Sequence, residues 1–148
     1  MIESILLTAA RISTFEMDKH LTNASGFFFE RDGRLFLVTS RHVIFDEPSK
    51  HFPNRIEIEM HNNPDDISKS TGFSMPLYRD GKSLWRQGTD TAGEIDVAVL
   101  EINRPALPKA AVYKAFTPKH LLGHFDQVEV GSSFLVVGFP LGFHDAVH

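Results

Sequence analysis

The chain has 148 residues, a formal charge of -4 and no cysteine, with 42% hydrophobic and 23% charged residues. That length suits one domain with a modest core, and the balance excludes a disordered chain. Without cysteine there is no disulfide, thiolate catalysis or Cys-based zinc site; without a Lys/Arg run, nothing recommends nucleic acid or an anionic membrane as a partner.

The N-terminal stretch MIESILLTAARIST lacks the basic start of a signal peptide, and its apolar part, ILLTAA, is too short to span a bilayer. The expected location is the cytoplasm, which the lack of cysteine also suits. Ile5 to Ile12 reads as a strand in preference to a short helix. Asn23 to Gly26 reads as a turn leading into Phe27-Phe28-Phe29. Asp32-Gly33 then separates that run from Leu35-Phe36-Leu37-Val38. Asp and Gly tolerate the positive φ of a tight turn, so Gly26 to Val38 is expected to be a β-hairpin.

Arg55 to Met60 (RIEIEM) alternates charged and apolar residues, the period of a half-buried strand. Gly72 to Tyr78 is a further strand candidate, and Asp80-Gly81 is a second tight turn leading into Leu84-Trp85, with Trp85 assigned to the core. Ile95 to Ile102 (IDVAVLEI) is a clear strand. Pro105 and Pro108 mark a linker, His120 to Gly123 a short helix, and Phe134 to Val137 a last strand before Gly138-Phe139-Pro140. Many short strands, frequent turns and no long amphipathic helix imply an all-β barrel or sandwich.

Two residues stand out chemically. His42 lies just past the apolar strand Leu35–Val38, after Thr39-Ser40-Arg41, so a rigid scaffold holds it while its ring can face a cleft. Asp96 enters its strand between Ile95 and Val97. Period two puts Asp96, Ala98 and Leu100 on one face, and Val97, Val99 and Glu101 on the other. A carboxylate among apolar neighbours needs a partner.

The segments LFLVTSRHVI, EIDVAVLEI and VGSSFLVVGFPLG, in that order, resemble the cysteine-free, bacterial branch of the trypsin-like serine peptidases. The match covers a strand start at Ala24-Ser25-Gly26-Phe27 and a Thr-x-x-His segment at Thr39 to His42. It continues with an Asp-Ile/Val-Ala-Val/Leu-Leu strand at Asp96 and a Gly-Phe/Tyr-Pro segment at Gly138 to Pro140. The resemblance implies two six-stranded β-barrels with the site in the crevice between them. It makes His42 the general base and Asp96 its orienter, in an acyl-enzyme mechanism that cleaves polypeptide substrates without cofactor.

The family's nucleophile lies in a Gly-x-Ser-Gly segment after Gly-Phe-Pro, and no such segment occurs in these 148 residues. Ser25 lies upstream of His42, and Ser132 and Ser133 open a strand-like run; none fits the nucleophile. The expected organisation is therefore a first barrel over residues 1–104, carrying His42 and Asp96. Residues 105–148 then form a linker and an incomplete second barrel, inactive without a serine supplied from outside. Uncovered strand edges and apolar residues, Phe134 to Val137 and Phe139 above all, are expected to promote self-association.

The pairs His120/His124 and His144/His148 have the i, i+4 spacing of helical metal ligands. His144 to His148 even resembles H-E-x-x-H with Asp for Glu, but no third ligand follows and solvated histidines are the expectation. Asp65-Asp66 lacks the oxygen ligands of a calcium loop, and Arg41 reads as a solvated charge. The rival readings are a non-catalytic β-barrel interaction module and, more distantly, a metal-binding β protein.

Overall fold

A computed structural model describes residues 3–121, 123 and 128–139. Its architecture is all-β. A 3-10 turn, Ser4–Leu7, leads into β1 (Ala9–Glu16), β2 (Lys19–Arg31) and β3 (Arg34–Thr39), followed by the single helical turn α1 (Arg41–Ile44). Then come β4 (Arg55–His61), β5 (Ser70–Pro76), the short pair β6 (Tyr78–Arg79) and β7 (Lys82–Ser83), β8 (Trp85–Asp90) and β9 (Gly93–Ile102). Seven strands form one antiparallel sheet in the order β5-β4-β1-β2-β3-β9-β8, and β6-β7 is a separate ribbon. Among the described residues no helix is long and apolar enough to cross a membrane.

Both Asp-Gly pairs turn where the sequence places them. Asp32 and Gly33 have φ of 53° and 76°, and Asp80 and Gly81 have 53° and 75°. Positive φ at both central residues matches the right-handed twist of the strands they join. The alternation in β3 is also explicit: Leu35 and Leu37 are buried while Phe36 and Val38 are half-buried. Of the three consecutive phenylalanines in β2, Phe28 is buried at 1% exposure and Phe27 is exposed at 39%, as a period-two chain requires.

One core serves the whole sheet. It joins Ile12 of β1, Phe28 of β2, Leu37 of β3, Ile56 and Ile58 of β4, and Ala98, Leu100 and Ile102 of β9. Ile56, Leu37 and Leu100 line a common void of about 10 Å³. In a flat sheet β4 and β3 would stand three spacings apart, roughly 14 Å. The sheet therefore curls over its own core. Among the described residues it stays open, because β5 pairs only with β4 and β8 only with β9. The segment after β9 crosses the strand ends through Val112 N–H to His61 O (2.7 Å), Lys114 N–H to Leu7 O (3.0 Å) and Phe116 N–H to Phe28 O (2.9 Å).

Four sequence expectations change. Ile5 to Leu7, expected in a strand, belong to the 3-10 turn Ser4–Leu7, and the strand starts only at Ala9. Asn23 to Gly26 is not a turn but the middle of a thirteen-residue strand. Pairing with β1 on one flank overrides the local turn chemistry, and Ser13 Oγ donates to Asn23 Oδ1 at 3.1 Å. Gly26 serves close approach instead: a Cβ there would lie 2.8 Å from Val38 O and 2.9 Å from Ile12 Cδ1. Phe134 to Val137 form no strand; Phe134 is 74% and Val136 92% exposed, and without a ladder partner β-propensity does not make a strand. The short helix expected at His120 is a 3-10 turn over Pro118–His120.

Gly26→Ala should therefore cost about 1–3 kcal/mol through overpacking, read as a lower urea midpoint at unchanged m-value. Gly72→Ala, where a Cβ meets nothing within 4 Å, should stay within about 0.5 kcal/mol. Equal effects of the two substitutions would contradict the close strand approach at Gly26.

Candidate functional site

The site grows from the end of β3. Thr39, 8% exposed, closes the strand and donates its hydroxyl to Ser25 O of β2 at 2.9 Å. Ser40 then starts α1 from extended backbone (φ -73°, ψ 142°) without a side-chain cap. Val43 and Ile44 face the core, at 9% and 2% exposure. His51 Nε2–H donates to Val43 O at 2.9 Å, and the Phe45 ring packs on Phe52 at 5.2 Å. With that face anchored, His42 is turned outward.

The first N–H groups of a helical turn have no partner within the helix. Asp96 of β9 supplies one: Oδ1 accepts the His42 backbone N–H at 2.9 Å, while Oδ2 lies 2.7 Å from His42 Nδ1. A single carboxylate thus holds both the main chain and the ring of His42. The backbone hydrogen bond from His42 is the largest influence keeping Asp96 below the ordinary aspartate range. The ring's hydrogen bond and charge, and the Arg41 charge, act in the same direction against a partial burial penalty. An ionised carboxylate only accepts, so Nδ1 carries the proton facing Asp96. In the neutral ring Nε2 is then a bare acceptor on the far side. The side chains are 60% (His42) and 54% (Asp96) exposed, so a reactant can reach the ring.

Strand β9 is itself shaped at this point. The β8–β9 ladder carries a bulge between Gln87 and Thr89. At Gly88 a Cβ would lie 2.9 Å from Val97 Cβ and 3.2 Å from Val97 O. The Gln87 side-chain amide donates to Ile95 O and, at 3.0 Å, to Gly88 O. The bulge therefore grips both neighbours of Asp96. Sequence reasoning passed over Gly88, although a glycine inside a strand commonly marks a bulge or a close backbone approach.

Ser25 has a role the motif did not disclose. Its hydroxyl accepts the Phe139 N–H at 2.6 Å and donates to Phe139 O at 3.3 Å. It thereby seats the Gly138-Phe139 end of the Gly-Phe-Pro segment on β2; Pro140 lies outside the described residues. Ser132 Oγ accepts the Glu129 N–H at 2.9 Å. Trp85, assigned to the core, is half-buried and packs against it; its indole N–H is buried and has no partner among the described residues. His120 Nδ1 accepts the Thr117 N–H at 2.9 Å, and His124, His144 and His148 lie outside the described residues. Among the described residues no three His, Asp or Glu side chains gather as a metal site would require.

The arrangement can orient an imidazole, accept a proton at Nε2 and stabilise the resulting imidazolium. Comparison with protein-family models, with curated proteins and with solved structures returned no match.

The depressed pKa of Asp96 sets a pH dependence. A carboxylate lowered on folding adds stability above its unfolded value, about 3.9, and loses it as pH falls through the lower folded value. Half exposure keeps that contribution small. A ¹³C-carboxyl NMR titration should give Asp96 a midpoint below about 3.9, with the His42 amide shifting in step. A midpoint in the ordinary range, with the His42 amide unmoved, would contradict the carboxylate–backbone bond.

Proposed function

We propose that this chain is the His–Asp-bearing part of a serine endopeptidase of trypsin-like type, with His42 as general base and Asp96 as its orienter. The observation that carries the reading is the double grip of one carboxylate on the backbone N–H and Nδ1 of His42 (2.9 and 2.7 Å). The ordered motifs around Ser25, Thr39–His42, Asp96 and Gly138-Phe139 support it. So does the seating of Gly138-Phe139 on β2, one strand from the residues leading to His42. On this reading the curled sheet is the first barrel, and residues 105–148 are a linker that packs back on it and the start of an incomplete second barrel.

The chemistry follows from the tautomer. A serine hydroxyl set against Nε2 gives up its proton as its oxygen attacks the peptide carbonyl carbon. Asp96 stabilises the imidazolium, which then protonates the departing amine. Water deacylates the enzyme by the same route. On this reading the serine and the amides stabilising the oxyanion lie outside these 148 residues, which hold no Gly-x-Ser-Gly segment; Ser25 and Ser132 accept main-chain N–H groups instead. That missing serine also sustains a second reading, a non-catalytic module that keeps the fold.

The test is fluorophosphonate labelling and peptide turnover, applied to these 148 residues and to the full product of the gene. The reading expects no labelling of the 148 residues and stoichiometric labelling of a product that continues into a Gly-x-Ser-Gly segment. There Asp96→Asn should lower turnover by up to about 10⁴-fold, and Asp96→Asn with His42→Ala should be scarcely worse than His42→Ala alone. A full gene product that neither labels nor turns over peptide would establish the module instead. Labelling of the 148 residues that is lost on Ser25→Ala, Ser132→Ala or Ser133→Ala would place the nucleophile elsewhere than proposed.

A further inference from the structure

At the other end of β3 and β9 from His42 and Asp96, a groove of about 730 Å³ lies between β5 and the last residues of β9. Its floor is apolar, formed by Phe73, Met75, Leu100 and Ile102, and its rim carries Arg34, Arg79 and Arg104 against one carboxylate, Glu101. This size is that of a binding cleft, and a net basic rim is notable on a chain whose formal charge is -4.

The rim has donors to spare. Arg34 bonds Glu101 through Nε (2.6 Å) and Nη2 (2.9 Å), which among the described residues leaves the Nη1 hydrogens. Its side chain is 63% exposed. Arg104 pairs with Glu30 at 2.5 Å. Arg79 makes no ion pair among the described residues.

Among the described residues the wall along β5 is an unpaired strand edge, and its polarity follows from the register. Leu77 N–H donates to Asn54 O at 2.9 Å across the Arg55–Pro76 pair. That pair is therefore of the non-hydrogen-bonded kind, where the missing N–H of Pro76 does no harm. Alternation then points the main-chain groups of Met75 and Phe73 at β4 and turns those of Ser74 and Gly72 outward.

We propose that this groove binds an extended acidic peptide, which adds to β5 as an eighth strand. Its main chain pairs with Ser74 and Gly72, its alternate apolar side chains enter the floor, and its carboxylates meet Arg79 and the free donors of Arg34. Main-chain pairing suits an extended peptide, with affinity from the ladder and selection from the side-chain sites; the guanidinium rim selects carboxylates. The site is remote from His42 and does not rest on the peptidase reading.

The test is fluorescence anisotropy with a dye-labelled, end-blocked octapeptide alternating Glu and Val, beside its Lys/Val counterpart and a single-stranded oligonucleotide. The Glu/Val peptide should bind, more weakly at high salt, and should shift the amide signals of Gly72 and Ser74 but not that of His42. Arg79→Glu should weaken binding by about tenfold or more. Ser74→Pro removes an outward N–H from a strand edge, where proline is tolerated, and should weaken it similarly. If Ser74→Pro does not fold, Arg79→Glu and the amide map decide. Equal or tighter binding of the Lys/Val peptide or the oligonucleotide, amide shifts centred on His42, or binding indifferent to Arg79→Glu would overturn the proposal.

Discussion

Strand β3 is the constraint on which the site depends. It pairs with β2 through Phe27–Val38 to Arg31–Arg34 and with β9 through Leu35–Ile102 to Thr39–Ala98. Continued two residues beyond Thr39–Ala98, the same register sets Asp96 opposite Arg41, beside His42. A slip of one residue would turn Asp96 to the other face and take Ala98, Leu100 and Ile102 out of the core. Burial of those three, at 1%, 5% and 3% exposure, therefore enforces the meeting of two side chains far apart in the chain.

What the carboxylate contributes is direction more than attraction. Both side chains are more than half exposed, and an exposed ion pair adds little stability. The backbone hydrogen bond is different. It ties Asp96 to a main-chain group whose position Val43 and Ile44 fix from beneath, so the ring swings about a carboxylate already held in place. On the proposed reading, that geometry selects the Nδ1–H tautomer before any substrate arrives.

Much of this was legible in the residues. The Asp-Gly pairs specified their turns, the apolar run Leu35–Val38 specified a strand, and period two put Asp96, Ala98 and Leu100 on one face of theirs. His42 and Asp96 could be picked out because each follows or enters such a strand. Other features escaped because they are set by partners distant in sequence. Asn23 to Gly26 look like a turn until β1 pairs with them. Phe134 to Val137 look like a strand and form none among the described residues, because apolarity alone supplies no neighbour. The Gly88 bulge and the Ser25 clasp on Phe139 depend on surfaces that meet only in the fold, and so does the openness of the sheet between β5 and β8.

The central claim is that Asp96 fixes the proton of His42 on Nδ1. A long-range ¹H–¹⁵N correlation spectrum of the histidine rings, recorded with the rings neutral, reads this directly. The account predicts a protonated Nδ1 and a bare Nε2, with that preference lost in Asp96→Ala while the amide spectrum stays that of the folded chain. A His42 ring protonated on Nε2, or a tautomer unchanged by Asp96→Ala, would contradict it.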